Sequence, residues 1–365
     1  MFYSLRLMIF TAGSMLGSSL LFLSSSLAIY GIFAYYSWLI CTISALILGY
    51  LMSNLGQVCN NSGGPYIYAK NLIPQYASFI GIIHLIALII QLSSIYFVLS
   101  QYCSNFISPA VTLTIIPIIN YITNRYSDDF SFNINMLLNT LKMIPIVILL
   151  IAAFLKSDTF SIGECSHSYP IIHSTSLIIF AFSGFEFGLV PQENKVKNIM
   201  PPIIIGIFIG AFFGVVTQFL VCNLLTSPEL STSPLNDLAF MLFGKIGFFI
   251  MNITCCLFCI TAGHTSFFVC GNLSEAIFNN HIKSQSMRIF LLVILLLINI
   301  LFDISENYLG IFATLIKLSD FLLTIPLMSC IICYRILFPG NWKLFFSSFV
   351  SILLFMIPAL LSIFV

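Results

Sequence analysis

Phe180-Ala181-Phe182-Ser183-Gly184-Phe185-Glu186-Phe187-Gly188 sets a carboxylate inside an apolar run. The run begins near Ser174, and a helix rising ~1.5 Å per residue carries Glu186 about 18 Å in, close to the middle of a ~30 Å hydrocarbon core. An ionisable group at that depth faces a bundle interior or a wet cavity, where a proton, an ion or a substrate offsets its desolvation. Gly184, Gly188 and Pro191 flank it, and each weakens a continuous helix. The stretch therefore reads as a broken membrane helix lining a polar site. A kinked packing helix with a protonated, hydrogen-bonded Glu186 is the plainer alternative.

Working outward, the surroundings are uniformly apolar. Of 365 residues 59% are hydrophobic and 7% charged, and the mean hydropathy is +1.08, which marks an all-α polytopic membrane protein. The net charge of +1 leaves no basic surface for nucleic acid. Apolar runs predict about eleven spans: 8–30, 34–53, 76–102, 106–122, 136–154, 174–190, 203–226, 246–268, 287–302, 309–334 and 342–365, the fourth and ninth being short. Arg6 precedes the first run without a small-residue cleavage site, so that run is expected to be a retained span. With the N-terminus cytoplasmic, Arg6, Lys70, Arg125, Lys195, Lys197, Lys283, Arg288, Arg335 and Lys343 fall inside, and only Lys156 and Lys245 outside. The positive-inside rule supports that orientation.

Five spans before Glu186, the first run carries Gly13, then Gly17-Ser18-Ser19. Gly13 and Gly17 have G-x-x-x-G spacing, which suits a close helix-packing face; a broken helix whose freed N–H groups take an anionic group is the functional reading. Asn61-Ser62-Gly63-Gly64-Pro65-Tyr66-Ile67-Tyr68-Ala69-Lys70 is too polar to span and predicts a re-entrant or interfacial connector. Lys142, beside Pro145, either snorkels to the nearer interface or is a titratable ammonium in the cavity. Lys317 and Asp320, three apart, suggest a local ion pair.

Catalytic signals are missing. The five histidines form no ligand-spaced cluster, and neither H-E-x-x-H, G-x-S-x-G nor a P-loop occurs. His264 is the one histidine placed to line a cavity, or else to make a hydrogen-bonded helix contact. Cys256 with Cys259, and Cys330 with Cys333, have C-x-x-C spacing in apolar helices, where small packing residues are expected rather than a metal or redox site. No enzyme activity, cofactor or metal is expected.

Interruptions five spans apart are what an inverted five-plus-five repeat produces. Thr11-Ala12-Gly13-Ser14-Met15-Leu16-Gly17-Ser18-Ser19, then Gly63-Gly64-Pro65-Tyr66-Ile67-Tyr68-Ala69, then Phe180 to Glu186 running on to Glu193-Asn194-Lys195-Val196-Lys197-Asn198, resemble the amino acid/polyamine/organocation (APC) superfamily. Within it the chain is most similar, over about residues 6–338, to the basic amino acid/polyamine antiporters, whose best-studied kind is the arginine/agmatine antiporter. The resemblance implies a LeuT-like fold with discontinuous first and sixth helices, repeats of about 6–156 and 174–338 and an extra helix at 342–365, all in a single transporter domain (1–365). Relatives usually have twelve spans and are often homodimers.

The resemblance also implies an inner-membrane carrier that exchanges an arginine-like amino acid for an amine by alternating access, or, alternatively, a proton-coupled symporter. Gly17-Ser18-Ser19 matches the family's Gly-Ser-Gly that receives the substrate carboxylate, with the third glycine replaced. Carbonyls around Phe180 and Ser183, beside Gly184, would receive the amine; Phe180 and Phe258 match gating aromatics, and Tyr96 and Ser319 match polar lining positions. Glu186 matches a glutamate the exchangers share. Lys142 falls where proton-coupled relatives hold a lysine in place of a sodium ion.

Overall fold

The structure is a computed structural model that describes residues 2–17, 19–59, 64–104, 107–125, 128–157, 165, 169–189, 198–278, 284–304 and 308–364. The predicted first span is two helices, α1 (Phe2–Met15) and α2 (Ser19–Ala28), bent by 47° at the break between them. Then come α3 (Ile32–Val58), a short α4 (Pro65–Leu72), α5 (Pro74–Cys103), α6 (Pro109–Asn124) and α7 (Asp128–Lys156). The second half holds α8 (Pro170–Phe182) with a 3₁₀ turn after it (Phe185–Leu189), α9 (Met200–Leu224), α10 (Pro234–Ile277), α11 (Ser284–Ile304), α12 (Tyr308–Leu337) and α13 (Trp342–Phe364).

Eight of these helices are long and apolar enough to cross a bilayer, and the bent pair α1 and α2 makes a ninth. The remaining two are the short ones, α6 and the Arg288–Ile300 part of α11. The eleven predicted spans thus all coincide with helix, most of them with longer bounds than the apolar runs indicate, while α6 and α8 are shorter. In α10 the chain enters at Pro234, not Ile246, and turns sharply at Gly244. The connector after α3 resolves into α4, whose Pro65 to Ala69 are buried against α5 and α12; Asn61, Ser62 and Gly63 lie outside the described residues.

Packing follows from what each helix shows to lipid. On α7, Leu137, Leu141, Ile144, Ile148, Ile151 and Leu155 form an exposed stripe at helical spacing, while Asn135, Asn139 and Lys142 are buried on the other side. In water that arrangement would be inside out; against acyl chains it is the stable one, because only the interior offers hydrogen-bond partners. α5 is the central pillar, packed on α10, α12 and α6, and α1 lies along α9. Gly13 is where α1 meets α7: a Cβ there would sit 2.2 Å from Asn139 Cγ. The G-x-x-x-G packing face and the helix break therefore coexist in one segment.

Candidate substrate site

α1 stops at Met15, and its last carbonyls have no helical N–H to meet. Lys142 answers them. Its Nζ donates to Gly13 O at 2.9 Å and to Leu16 O at 2.7 Å, and it lies 4.7 Å from the centre of the Phe258 ring. A cation at the C-terminal end of a half-helix is favoured by the helix dipole as well as by the two bonds. The side chain is 0% exposed, so the snorkelling alternative does not hold.

The second break is built differently. Ser183, in extended conformation, ends α8, and Gly184 follows at φ 111°, a region that L-residues rarely enter. Ser14 Oγ donates to Gly184 O at 2.8 Å, and a Cβ on Gly184 would lie 3.1 Å from Ser14 O, so the two breaks touch through Ser14. Glu186 is the second residue of the 3₁₀ turn; its Oε2 accepts from Gly184 N at 3.1 Å, while Oε1 meets no partner among the described residues. Glu186 is fully buried, and Asp320 of α12 is within electrostatic range of it.

A cavity of about 20 Å³ lies where the two breaks meet. Ser14, Met15, Gly17 and Ser19 line it from the first break, and Phe180, Ser183 and Phe187 from the second. α5 contributes Gln91 and Ile95, and α10 contributes Ala262, Thr265 and Ser266. That volume holds a water molecule and no amino acid, so the walls are closed on one another. Towards the face opposite the N-terminus a much larger space of about 360 Å³ opens between α2, α5, α8, α12 and the 3₁₀ turn Pro228–Leu230. Phe22 lines this vestibule, and its ring is 6.0 Å from that of Phe180, which lines the cavity below. The aromatic pair thus connects the lining of one space with that of the other.

Of the residues singled out from sequence, Gly17, Ser19, Phe180 and Ser183 come together at the cavity, with Gly184 and Glu186 directly behind. Ser18 lies outside the described residues. Phe258 is turned to Lys142 instead of the cavity. Tyr96 turns to α6, where its hydroxyl accepts from Asn120 Nδ2 at 3.0 Å, and Ser319 donates to Ile316 O in its own helix. The Lys317–Asp320 ion pair does not form: Asp320 is buried with Oδ2 unpartnered among the described residues, and Lys317 lines the vestibule. His264 is a buried helix contact, its Nδ1 3.4 Å from Asn135 Nδ2, beside Thr265, whose hydroxyl accepts from the same amide at 2.6 Å. Among the described residues no three His, Cys, Asp or Glu side chains gather as metal ligands.

Sequence reasoning missed Ser14, Gln91, Thr265 and Ser266. Gln91 carried a usable signal, being an amide after an apolar stretch from Leu85 to Ile90.

No family model matches the chain. It is 26% identical over 201 residues to the cadaverine/lysine antiporter of Escherichia coli strain K12, and equally to those of strains O6:H1 and O157:H7. The similarity is thus to antiporters of a diamine and a basic amino acid. The match takes in 51% of this chain and 45% of each antiporter, so the chain spans about half the length of the curated relatives it matches. In three dimensions it superposes on MhsT, solved in complex with L-phenylalanine, with a TM-score of 0.68 at 13% identity, over 98% of both chains. A manganese transporter of Eremococcus coleocola, solved with an aromatic bis-isothiourea substituted compound, gives 0.61 at 11% identity, over 99% of this chain and 87% of that one. The chain therefore has a LeuT-like fold, with its breaks in the first and sixth spans.

Proposed function

We propose that the protein is an amino acid/polyamine antiporter-type transporter of a bacterial inner membrane, with its N-terminus cytoplasmic, working by alternating access. One observation carries the reading: a cavity lined by serines and Gln91 lies where two half-helix ends converge, beneath an open vestibule. We assign Gly17, Ser18 and Ser19, at the first break, to an α-carboxylate, and the carbonyls that end α8 suit an amine. Phe180, paired with Phe22, is the group that moves to admit a substrate from the vestibule. The similarity to cadaverine/lysine antiporters supports exchange of an arginine-like amino acid for an amine such as agmatine.

Proton-coupled symport is the second reading, and Lys142 favours it. An ammonium on the Gly13 and Leu16 carbonyls holds α1 against α7 more strongly than the neutral amine would, which ties proton binding to helix position. Reconstituted vesicles test both. Uptake of labelled arginine that needs internal agmatine and no pH gradient supports exchange. Uptake driven by a pH gradient into empty vesicles supports symport, and no uptake of any amino acid in either mode refutes the carrier.

A further inference from the structure

The Phe180 carbonyl, which an incoming amine would use, already accepts one side-chain hydrogen bond. At the end of α8, Ser183 Oγ donates to Phe180 O at 2.8 Å, and the same oxygen accepts from Gln91 Nε2 at 2.6 Å. An amide of α5 thus reaches, through one hydroxyl, the backbone acceptor that the helix break left free. Gln91 and Ser183 are buried at 8% and 5% exposure, and both line the cavity of about 20 Å³. α5 is an unbroken helix fixed to α10 and α12, so the bond joins a rigid wall to the interrupted one.

An ammonium has three donors and no acceptor. Phe180 O has a second lone pair, but the cavity of about 20 Å³ has no room for an ammonium beside the Ser183 hydroxyl and the Gln91 amide, so an amine that reaches this oxygen must push the Gln91–Ser183 contact apart. A buried amide without a partner is costly, so in the empty protein the pair has every reason to stay closed. We propose that Gln91 is a built-in stand-in for the substrate's amine: it closes the empty cavity by occupying the α8 acceptor chain, and substrate binds by displacing it. This residue then governs two properties of the proposed carrier, on whose reading it rests. It weakens substrate binding by the worth of one hydrogen bond, and it gives the empty protein a closed state in which to return across the membrane. Strict exchange is favoured when that closed state is weak, and net flux when it is strong.

The test uses the full-length protein in vesicles and whichever of labelled L-arginine, L-lysine or L-alanine the wild type exchanges. Gln91→Leu keeps the volume and removes the amide; Gln91→Asn keeps the amide on a stem too short to reach Ser183. Both variants are expected to bind the labelled amino acid about five-fold more tightly, the equivalent of one neutral hydrogen bond. Both should also show a higher ratio of exchange to net efflux into substrate-free medium. Weaker or unchanged binding in a folded variant overturns the inference and makes Gln91 a direct substrate ligand or a bystander, while wild-type exchange leaves the carrier reading standing. If the wild type exchanges none of the three, the carrier reading falls first and this inference falls with it.

Discussion

The two helix breaks solve one problem in opposite ways. At the first, the loose ends are carbonyls, and the partner is a cation from α7, 129 and 126 residues away along the chain from Gly13 and Leu16. At the second, an amide N–H is met by a carboxylate two residues on, Gly184 to Glu186, and a loose carbonyl is met by Ser183 from three residues on. The first break is therefore held by tertiary structure and the second largely by its own sequence. The lesson is that the first break opens only if α7 lets go, whereas the second can keep its shape while Phe180 and Ser183 rearrange around a ligand.

Lys142→Ala is the strongest challenge to that contrast. Each charge-assisted bond it removes is worth ~1.5–3 kcal/mol, so thermal melting of the purified protein should fall further than for substitutions at Gly184, Phe258 or Glu186. In vesicles, the protein that survives should still exchange if the carrier is an antiporter and should lose uptake if it is a symporter. Survival of both melting temperature and uptake would mean that the first break does not depend on α7. Gly184→Ala probes the second break. Its φ of 111° and the 3.1 Å approach to Ser14 O make any Cβ strained, at ~1–3 kcal/mol, with transport lost as the two breaks part.

Smaller effects sharpen the comparison. Phe258→Leu removes the ring over the Lys142 ammonium and should lower stability by ~0.5–2 kcal/mol while leaving substrate affinity unchanged, since the ring faces Lys142 and not the cavity. A large loss of affinity in that variant would return Phe258 to the gating role its sequence position suggests. Glu186→Gln keeps an oxygen for the Gly184 amide and exchanges a charge-assisted bond for a neutral one, a change of ~1 kcal/mol. Melting should barely move, and any fall in transport then reports the charge rather than the fold.

Much of this was readable in the residues. Spans and their order follow from apolar run length, because a bilayer core demands about twenty apolar residues in an unbroken hydrogen-bonded helix. Both interruptions were visible as clusters of Gly and Ser where such a helix should continue, and Glu186 as a charge that lipid would not accept. Side-chain direction was not. Phe258, Tyr96 and Ser319 lie within α10, α5 and α12, yet one covers Lys142, one bonds Asn120 and one bonds its own helix. The rotation of a helix about its axis is set by all its neighbours together, and no local pattern in an all-apolar run reports it.

Sequence by itself determined that the chain is a bundle of apolar helices and where two of them break, since each depends on residues within a turn or two of one another. Only the tertiary structure decided that Lys142 seats on α1, that Ser14 joins the breaks and that Gln91 fills the acceptor chain of α8. Those three contacts link residues between 92 and 170 positions apart, and the chain brings them within hydrogen-bond reach only when the bundle closes and water is gone.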